Sequence, residues 1–247
     1  MWSNSATRID EIIISWLNSL VGTSTAFDNA VTFLSHGETV NGAIVMSVFW
    51  WYWFRQSSAE SVQRTREYLL GTLFAAGIGL FAARILALTL PFRLRPHFQP
   101  ELHWVGPATP SWVSYVDWSA FPSDHAVMFS AFAVGLWFVS WRTGLATLVF
   151  AIFIVSFPRV YFGFHYPTDV IAGVALGALI AYCMNGVALC RQLASRILPW
   201  ERRSPQGFYL ALFIISFQFA SMFIGFRRLA AAAFRLLAIL LGKAVPG

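Results

Sequence analysis

Polar breaks divide the chain into apolar blocks at 40–54, 68–90, 126–141, 144–157, 170–189 and 208–226. Each reads as a membrane-spanning helix, which takes about 20 apolar residues to cross about 30 Å of hydrocarbon. The first, third and fourth blocks are short for that, so their helices are expected to run into the flanking residues. Residues 9–34 differ. Ile13, Trp16, Leu17 and Leu20 recur at helical spacing, with Asn18 and Asp28 between them. This predicts one amphipathic helix lying on the membrane surface. After the last block, Arg227 and Arg228 lead into 229–241, too short to span and expected at the interface. The fold class predicted is all-α: a six-span polytopic bundle in one domain over 1–247. Its parts are an interfacial segment 1–36, a core 37–226 and a basic tail 227–247.

Composition agrees and narrows the classes. The 247 residues are 57% hydrophobic, 17% aromatic and 11% charged, against about 25% charged in an average soluble domain. Disordered chains, secreted disulfide scaffolds and ordinary soluble enzymes are excluded. Cys183 and Cys190 sit in one apolar run and imply no disulfide framework. The polar, acidic start, with Asp10 and Glu11, predicts no cleavable signal peptide. Gly173, Gly177 and Ala181 repeat every four residues, a small-residue face expected to pack within the bundle. Trp50, Trp51, Tyr52 and Trp53 before Arg55 read as an interfacial belt.

The net charge of +6 rests on arginine, since Lys243 is the single lysine. In a membrane protein such an excess marks cytoplasmic loops, and no nucleic-acid partner is expected. Arg55, Arg64, Arg66, Arg142, Arg191, Arg196, Arg202 and Arg203 fall in loops of one face; Arg93, Arg95 and Arg159 fall in loops of the other. The positive-inside rule makes the first face cytoplasmic and places the second outside a bacterial-type plasma membrane. The long loop 91–125 on that outer face holds Trp104, Trp112 and Trp118.

Three clusters share the outer face: 92–96 with Arg93 and Arg95, 121–125 with Ser123, Asp124 and His125, and 158–169 with Arg159, His165 and Asp169. Arginine forks bind phosphate oxygens in pairs. Pro122-Ser123 ahead of a helix offers free backbone N–H groups and a positive dipole end. Two histidines offer a nucleophile and an acid. Asp169, four residues after His165, shares its face on a helical turn; there it can accept a ring N–H and fix the tautomer. The set reads as metal-free phosphoryl transfer through a phosphohistidine. Zinc on His125, His165 and Asp169 is the rival, and the neighbouring arginines would repel it. His36, His97 and His103 fit no pattern.

The ordered clusters resemble the type-2 phosphatidic acid phosphatase superfamily, whose blocks read Lys-x6-Arg-Pro, Pro-Ser-Gly-His and Ser-Arg-x5-His-x3-Asp. Arg95-Pro96, Pro122-Ser123 with His125, and Arg159, His165 and Asp169 match in order and spacing. Leu88 stands at the position of the first-block lysine, Asp124 at the glycine and Pro158 at the serine. Pro-Ser-Asp-His is similar to the undecaprenyl-diphosphatase branch. The resemblance implies His165 as nucleophile, Asp169 as its orienting partner and His125 as acid and then base. It puts Arg95, Arg159 and the N–H groups near Ser123 on the phosphoryl oxygens. Arg84 or Arg93 is expected to replace the lysine. Asp124 either tunes His125 or meets a second phosphate. The expected activity is hydrolysis of a lipid phosphate or diphosphate without metal or cofactor, with undecaprenyl diphosphate first. Phosphatidate, phosphatidylglycerophosphate or lipid A hydrolysis, lipid phosphotransfer and non-catalytic lipid binding are the alternatives. The sequence does not read out an oligomeric state.

Overall fold

The computed structural model of the protein describes residues 7–36, 38–104, 118–187 and 189–225. Trp112 and the segments 229–241 and 227–247 of the sequence reading lie outside them. The described residues are helical and carry no strand.

Helix α1 (Arg8–Leu20) starts on a capping box: Asp10 N donates to Thr7 Oγ1, and the Asp10 carboxylate accepts from Thr7 N, both at 3.2 Å. The single helix expected over 9–34 is two. A turn with Gly22 at φ +80° separates α1 from α2 (Thr25–His36), and Gly22 N donates to Asp28. The pair is also more than a surface float. Ile14, Leu17 and Val31 are buried in a small core with Val160, Tyr161, Phe162, Phe164 and Tyr166, while Ile9, Ile12 and Trp16 stay exposed.

Helices α3 (Glu38–Phe54) and α4 (Ala59–Thr89) follow, then two 3-10 turns, Pro96–Phe98 and Pro100–Leu102. Next come α5 (Asp124–Val139), a rod made of α6 (Trp141–Phe150), a π-helical stretch (Ala151–Ser156) and α7 (Phe157–Tyr161), then α8 (Pro167–Gly186), α9 (Leu189–Arg203) and α10 (Pro205–Ala220). Each of the six apolar blocks lies mostly on one helix or rod. The Arg-rich stretches 55–67 and 190–207, read as loops, are largely helix. Ser58 caps α4 early, and α9 buries Cys190, Ala194 and Leu198 at spacings of four. The π-helical stretch precedes Pro158, whose ring lacks an N–H and crowds the carbonyl four residues back.

Ala59–Thr89, Trp141–Tyr161 and Pro167–Gly186 are long and apolar enough to cross a membrane; Asp124–Val139 and Pro205–Ala220 are shorter apolar helices. Their outward faces carry Phe81, Phe153, Ile171, Leu179 and Phe213, all exposed, which suits a lipid solvent and not water. The main core joins Phe49 and Trp53 of α3, Leu69 and Leu73 of α4, Met128 and Phe132 of α5, Leu198 of α9, and Leu212 and Phe219 of α10. Of the expected aromatic belt, Tyr52 and Trp53 are thus inside, and Trp51 alone is widely exposed.

The small-residue face of α8 packs within the chain. A Cβ at Gly177 would stand 2.0 Å from Val127 O of α5, and one at Gly173 2.7 Å from Ser123 O. That close approach lets Ser123 N, at the head of α5, donate to Asp169 O at the head of α8 (3.2 Å). Two of the three sequence clusters are joined there.

Candidate phosphoryl-transfer site

The 158–169 cluster folds as a tight hook. Phe164 N and His165 N both donate to Arg159 O, at 2.9 and 3.2 Å, and Gly163 takes φ +64°. His97 clamps the hook, its N–H and Nδ1 both meeting Gly163 O, at 3.1 and 2.7 Å. This accounts for a histidine that fitted no sequence pattern. His103 caps the end of the adjoining 3-10 turn at φ +43°, and the side chain of His36 lies outside the described residues. Pro167 then starts α8 at its first position, where a missing N–H costs nothing. Asp169 Oδ2 accepts from Tyr166 N at 2.8 Å and closes the turn.

A cavity of about 50 Å³ opens where the clusters meet, lined by Arg84, Arg95, Asp124, His125, Arg159 and His165, with Trp118, Ser119, Pro122 and Met222 at its walls. A water needs roughly 10–15 Å³ of such space, so the cavity has room for a phosphoryl group. His165 and Arg159 are buried. Arg95 is buried too, donating Nη1 to Phe164 O at 2.9 Å and Nε to Trp118 O at 3.3 Å. Arg159 Nη2 lies 2.8 Å from His125 Nε2. A guanidinium only donates, so in this contact His125 Nε2 accepts. Ser123 Oγ is fully buried with no hydrogen-bond partner among the described residues.

Three expectations are corrected. First, the ring N–H of His165 goes to a backbone carbonyl: Nδ1 lies 2.7 Å from Ala120 O and 3.8 Å from Asp169 Oδ2. Asp169 is anchored by Tyr166 N and Arg93, so it meets the ring as a fixed charge beside a tautomer that Ala120 sets. His165 Nε2 is left as the lone-pair nitrogen. Burial pushes the His165 pKa down, and Arg95 adds to this; Asp169 and Ala120 oppose it. Second, Arg93 does not line the cavity. It pairs with Asp169 and, at 2.7 Å, with Asp10. Third, Ser123 N is not open to an anion, because Asp169 O holds it.

Arg84 does line the cavity. It pairs with Asp124 at 2.5 Å and lies 4.3 Å over the Trp118 ring. Leu88, at the family's lysine position, points away and is 77% exposed. Asp124, which stands where the family has glycine, is therefore the ion-pair partner of Arg84. Among the described residues no three His, Cys, Asp or Glu side chains converge as a metal site needs. Sequence reasoning missed Ala120, Trp118, Met222 and Asp10. Only Asp10 left a trace, the Thr7-to-Asp10 capping spacing.

Comparison with known proteins places this geometry. Residues 68–203, more than half the chain, match the PAP2 superfamily. The chain belongs to that superfamily. The matched stretch holds every cavity residue except Met222. Relatives include the decaprenylphosphoryl-5-phosphoribose phosphatase of Mycobacterium tuberculosis, 35% identical over 137 residues, covering 54% of this chain and 68% of the relative. The putative undecaprenyl-diphosphatase YbjG of Escherichia coli is 24% identical over 163 residues, covering 64% and 73%. The undecaprenyl-diphosphatase BcrC of Bacillus subtilis is 22% identical over 170 residues, covering 69% and 79%. These names support the undecaprenyl-diphosphatase-like branch of the superfamily. No solved structure matches the chain.

Proposed function

We propose that this PAP2 protein removes the terminal phosphate of a polyprenyl-linked substrate, undecaprenyl diphosphate to undecaprenyl phosphate in the first instance, through a phosphohistidine on His165. The observation that carries the reading is the pairing of His165, its Nδ1 held 2.7 Å from Ala120 O, with His125, Arg95 and Arg159 on one phosphoryl-sized cavity. The lone pair of Nε2 attacks phosphorus as the bond to the leaving oxygen breaks. Arg95, Arg159 and Arg84 hold the phosphoryl oxygens and stabilise the charge that spreads over them. Phosphate drawn into the cavity engages Arg159 and frees His125 Nε2, which takes up a proton from solvent and passes it to the leaving oxygen. His125 then takes a proton from water, whose oxygen attacks phosphorus and restores His165. Asp169 steadies the positive ring formed on attack. No metal or cofactor enters these steps.

Two further points belong to this reading. The six apolar helices span a bacterial-type inner membrane, with the cavity on the outer face that the arginine asymmetry selects. The phosphohistidine is passed to water and not to another acceptor. A second substrate reading, a phosphate on a sugar carried by a polyprenyl phosphate, is favoured by the 35% identity to the phosphoribose phosphatase. A panel of undecaprenyl diphosphate, a polyprenylphosphoryl sugar phosphate, phosphatidate and phosphatidylglycerophosphate, assayed in detergent for phosphate release, tests it. The diphosphate should turn over fastest, and equally well with and without EDTA. Preference for another lipid overturns the substrate. Loss of activity on chelation, restored by one metal, overturns the mechanism.

A further inference from the structure

Asp10 lies in the N-terminal helix, outside the family-matched stretch, and is fully buried. A buried carboxylate needs partners to offset its lost hydration, and α1 supplies only those of its own cap. The others come from far along the chain. Arg93 Nη2 donates to Asp10 Oδ2 at 2.7 Å. Thr168 donates twice, from its backbone N to Oδ1 at 3.0 Å and from Oγ1 to Oδ2 at 2.7 Å. Asp10 thereby caps the head of α8 from outside, one residue before Asp169.

Arg93 supports both groups that face the His165 ring. Its guanidinium holds Asp169, and its Nη1 also reaches Thr168 Oγ1 at 2.9 Å. Its carbonyl accepts from Ala120 N at 2.9 Å, and the Ala120 carbonyl in turn takes the His165 ring N–H. The guanidinium also lies 4.2 Å over the Tyr166 ring. Two carboxylates thus share one arginine. With Asp10 in place, neither the position of Arg93 nor its charge is committed to Asp169 alone.

We infer that Asp10 is a positioning residue for phosphoryl transfer: α1 docks it against Arg93 and Thr168, and through them it fixes Asp169 and Ala120 about the nucleophile. The inference rests on His165 being the nucleophile and Asp169 its partner. Asp10 does not line the cavity, so it acts on the chemical step and not on substrate binding.

The test uses the full chain in detergent with an aryl phosphate, measuring turnover and, by rapid quench and peptide mapping, the phosphorylated residue. Asp10→Asn keeps the shape and an acceptor oxygen. It should lower kcat at least about tenfold, within the range that small misplacements cost, with KM within twofold and the label still on His165. Combined with Asp169→Asn it should add less than about twofold, because it acts through Asp169. Thr168→Val, which removes the bridging hydroxyl, should show the same kcat-only pattern more weakly and serves if Asp10→Asn does not fold. Glu11→Gln removes the neighbouring acidic charge of α1, which is exposed, and should leave kcat unchanged. Wild-type label on His165 with Asp10→Asn at wild-type kcat overturns the inference alone, as do losses that multiply with Asp169→Asn or a Glu11→Gln loss as large as that of Asp10→Asn. Wild-type label on another residue overturns the phosphohistidine reading and the inference with it.

Discussion

Arg84 and Arg93 show how much one side chain's surroundings change its role. Both were candidates for the missing lysine, yet Arg84 reaches the cavity and Arg93 is spent on Asp10 and Asp169. Arg84→Ala should therefore remove a charge-assisted phosphate contact of about 1.5–3 kcal/mol, a loss of about 10- to 150-fold in kcat/KM that includes a raised KM. Arg93→Ala should lower kcat with KM within about twofold. Steady-state kinetics on undecaprenyl diphosphate separates the two; the same KM rise in both would put Arg93 back on the substrate. Asp124 competes with phosphate for Arg84, so Asp124→Asn should lower KM. A second expectation concerns pH. His165 must be neutral at Nε2 to attack, and burial holds its pKa below 6.5. A lowered pKa keeps the ring neutral further into acid, so the acid limb of phosphoenzyme formation should have its midpoint below 6.5. A limb at or above 6.5, measured by rapid quench across pH with the protein intact, would contradict the assigned nucleophile.

At the scale of elements, the site depends on how closely α8 approaches α5. Gly177 permits backbone contact that a side chain would block, its Cβ falling 2.0 Å from Val127 O. Gly177→Val should cost at least about 1–3 kcal/mol by overpacking. It should also part Ser123 N from Asp169 O, so activity should fall at temperatures where the variant is still folded. Thermal unfolding in detergent together with phosphate release checks both; a variant as stable and active as wild type would mean the helices have room to part. The pairing of α1 and α2 belongs to the same scale. Their apolar stripe was legible as amphipathic, but a stripe does not say whether lipid or protein covers it. Here the Ile14 and Leu17 side is taken by α7 and its following hook, and the Ile9, Ile12 and Trp16 side is left outward.

For the whole molecule, the most Arg-rich stretches and the cavity lie at opposite ends of the helices. Tyr52 meets Thr143 at 2.6 Å, and Arg66 meets Glu201 at 2.9 Å, at the Arg-rich end. Arg84, His125, His165 and Met222 converge at the other. A topology reporter fused after Gly106 should therefore behave as translocated, and one fused after Arg202 as cytoplasmic. The reverse pattern would place the site inside and remove the case for dephosphorylating an outer-leaflet carrier.

By itself the sequence determined the helical class, the places of the apolar helices, the arginine asymmetry and the three chemical clusters. These follow from local properties: hydropathy over about 20 residues, charge per loop, and residue type at short spacing. It determined neither the partner of each group nor the neighbours of each helix face. His165 and Asp169 sit four residues apart, which suggested a direct bond, but a carbonyl 45 residues away takes the ring proton. Asp124 looked like a group acting on His125 or on a second phosphate, and its partner is Arg84, 40 residues away. Asp10 carried no chemical signal, because its meaning lies in Arg93 and Thr168, 83 and 158 residues away. Only the tertiary structure decided these, since a buried charge takes whichever partner the packing of helices brings within about 3 Å, and that packing is set by small residues and apolar faces remote from the site.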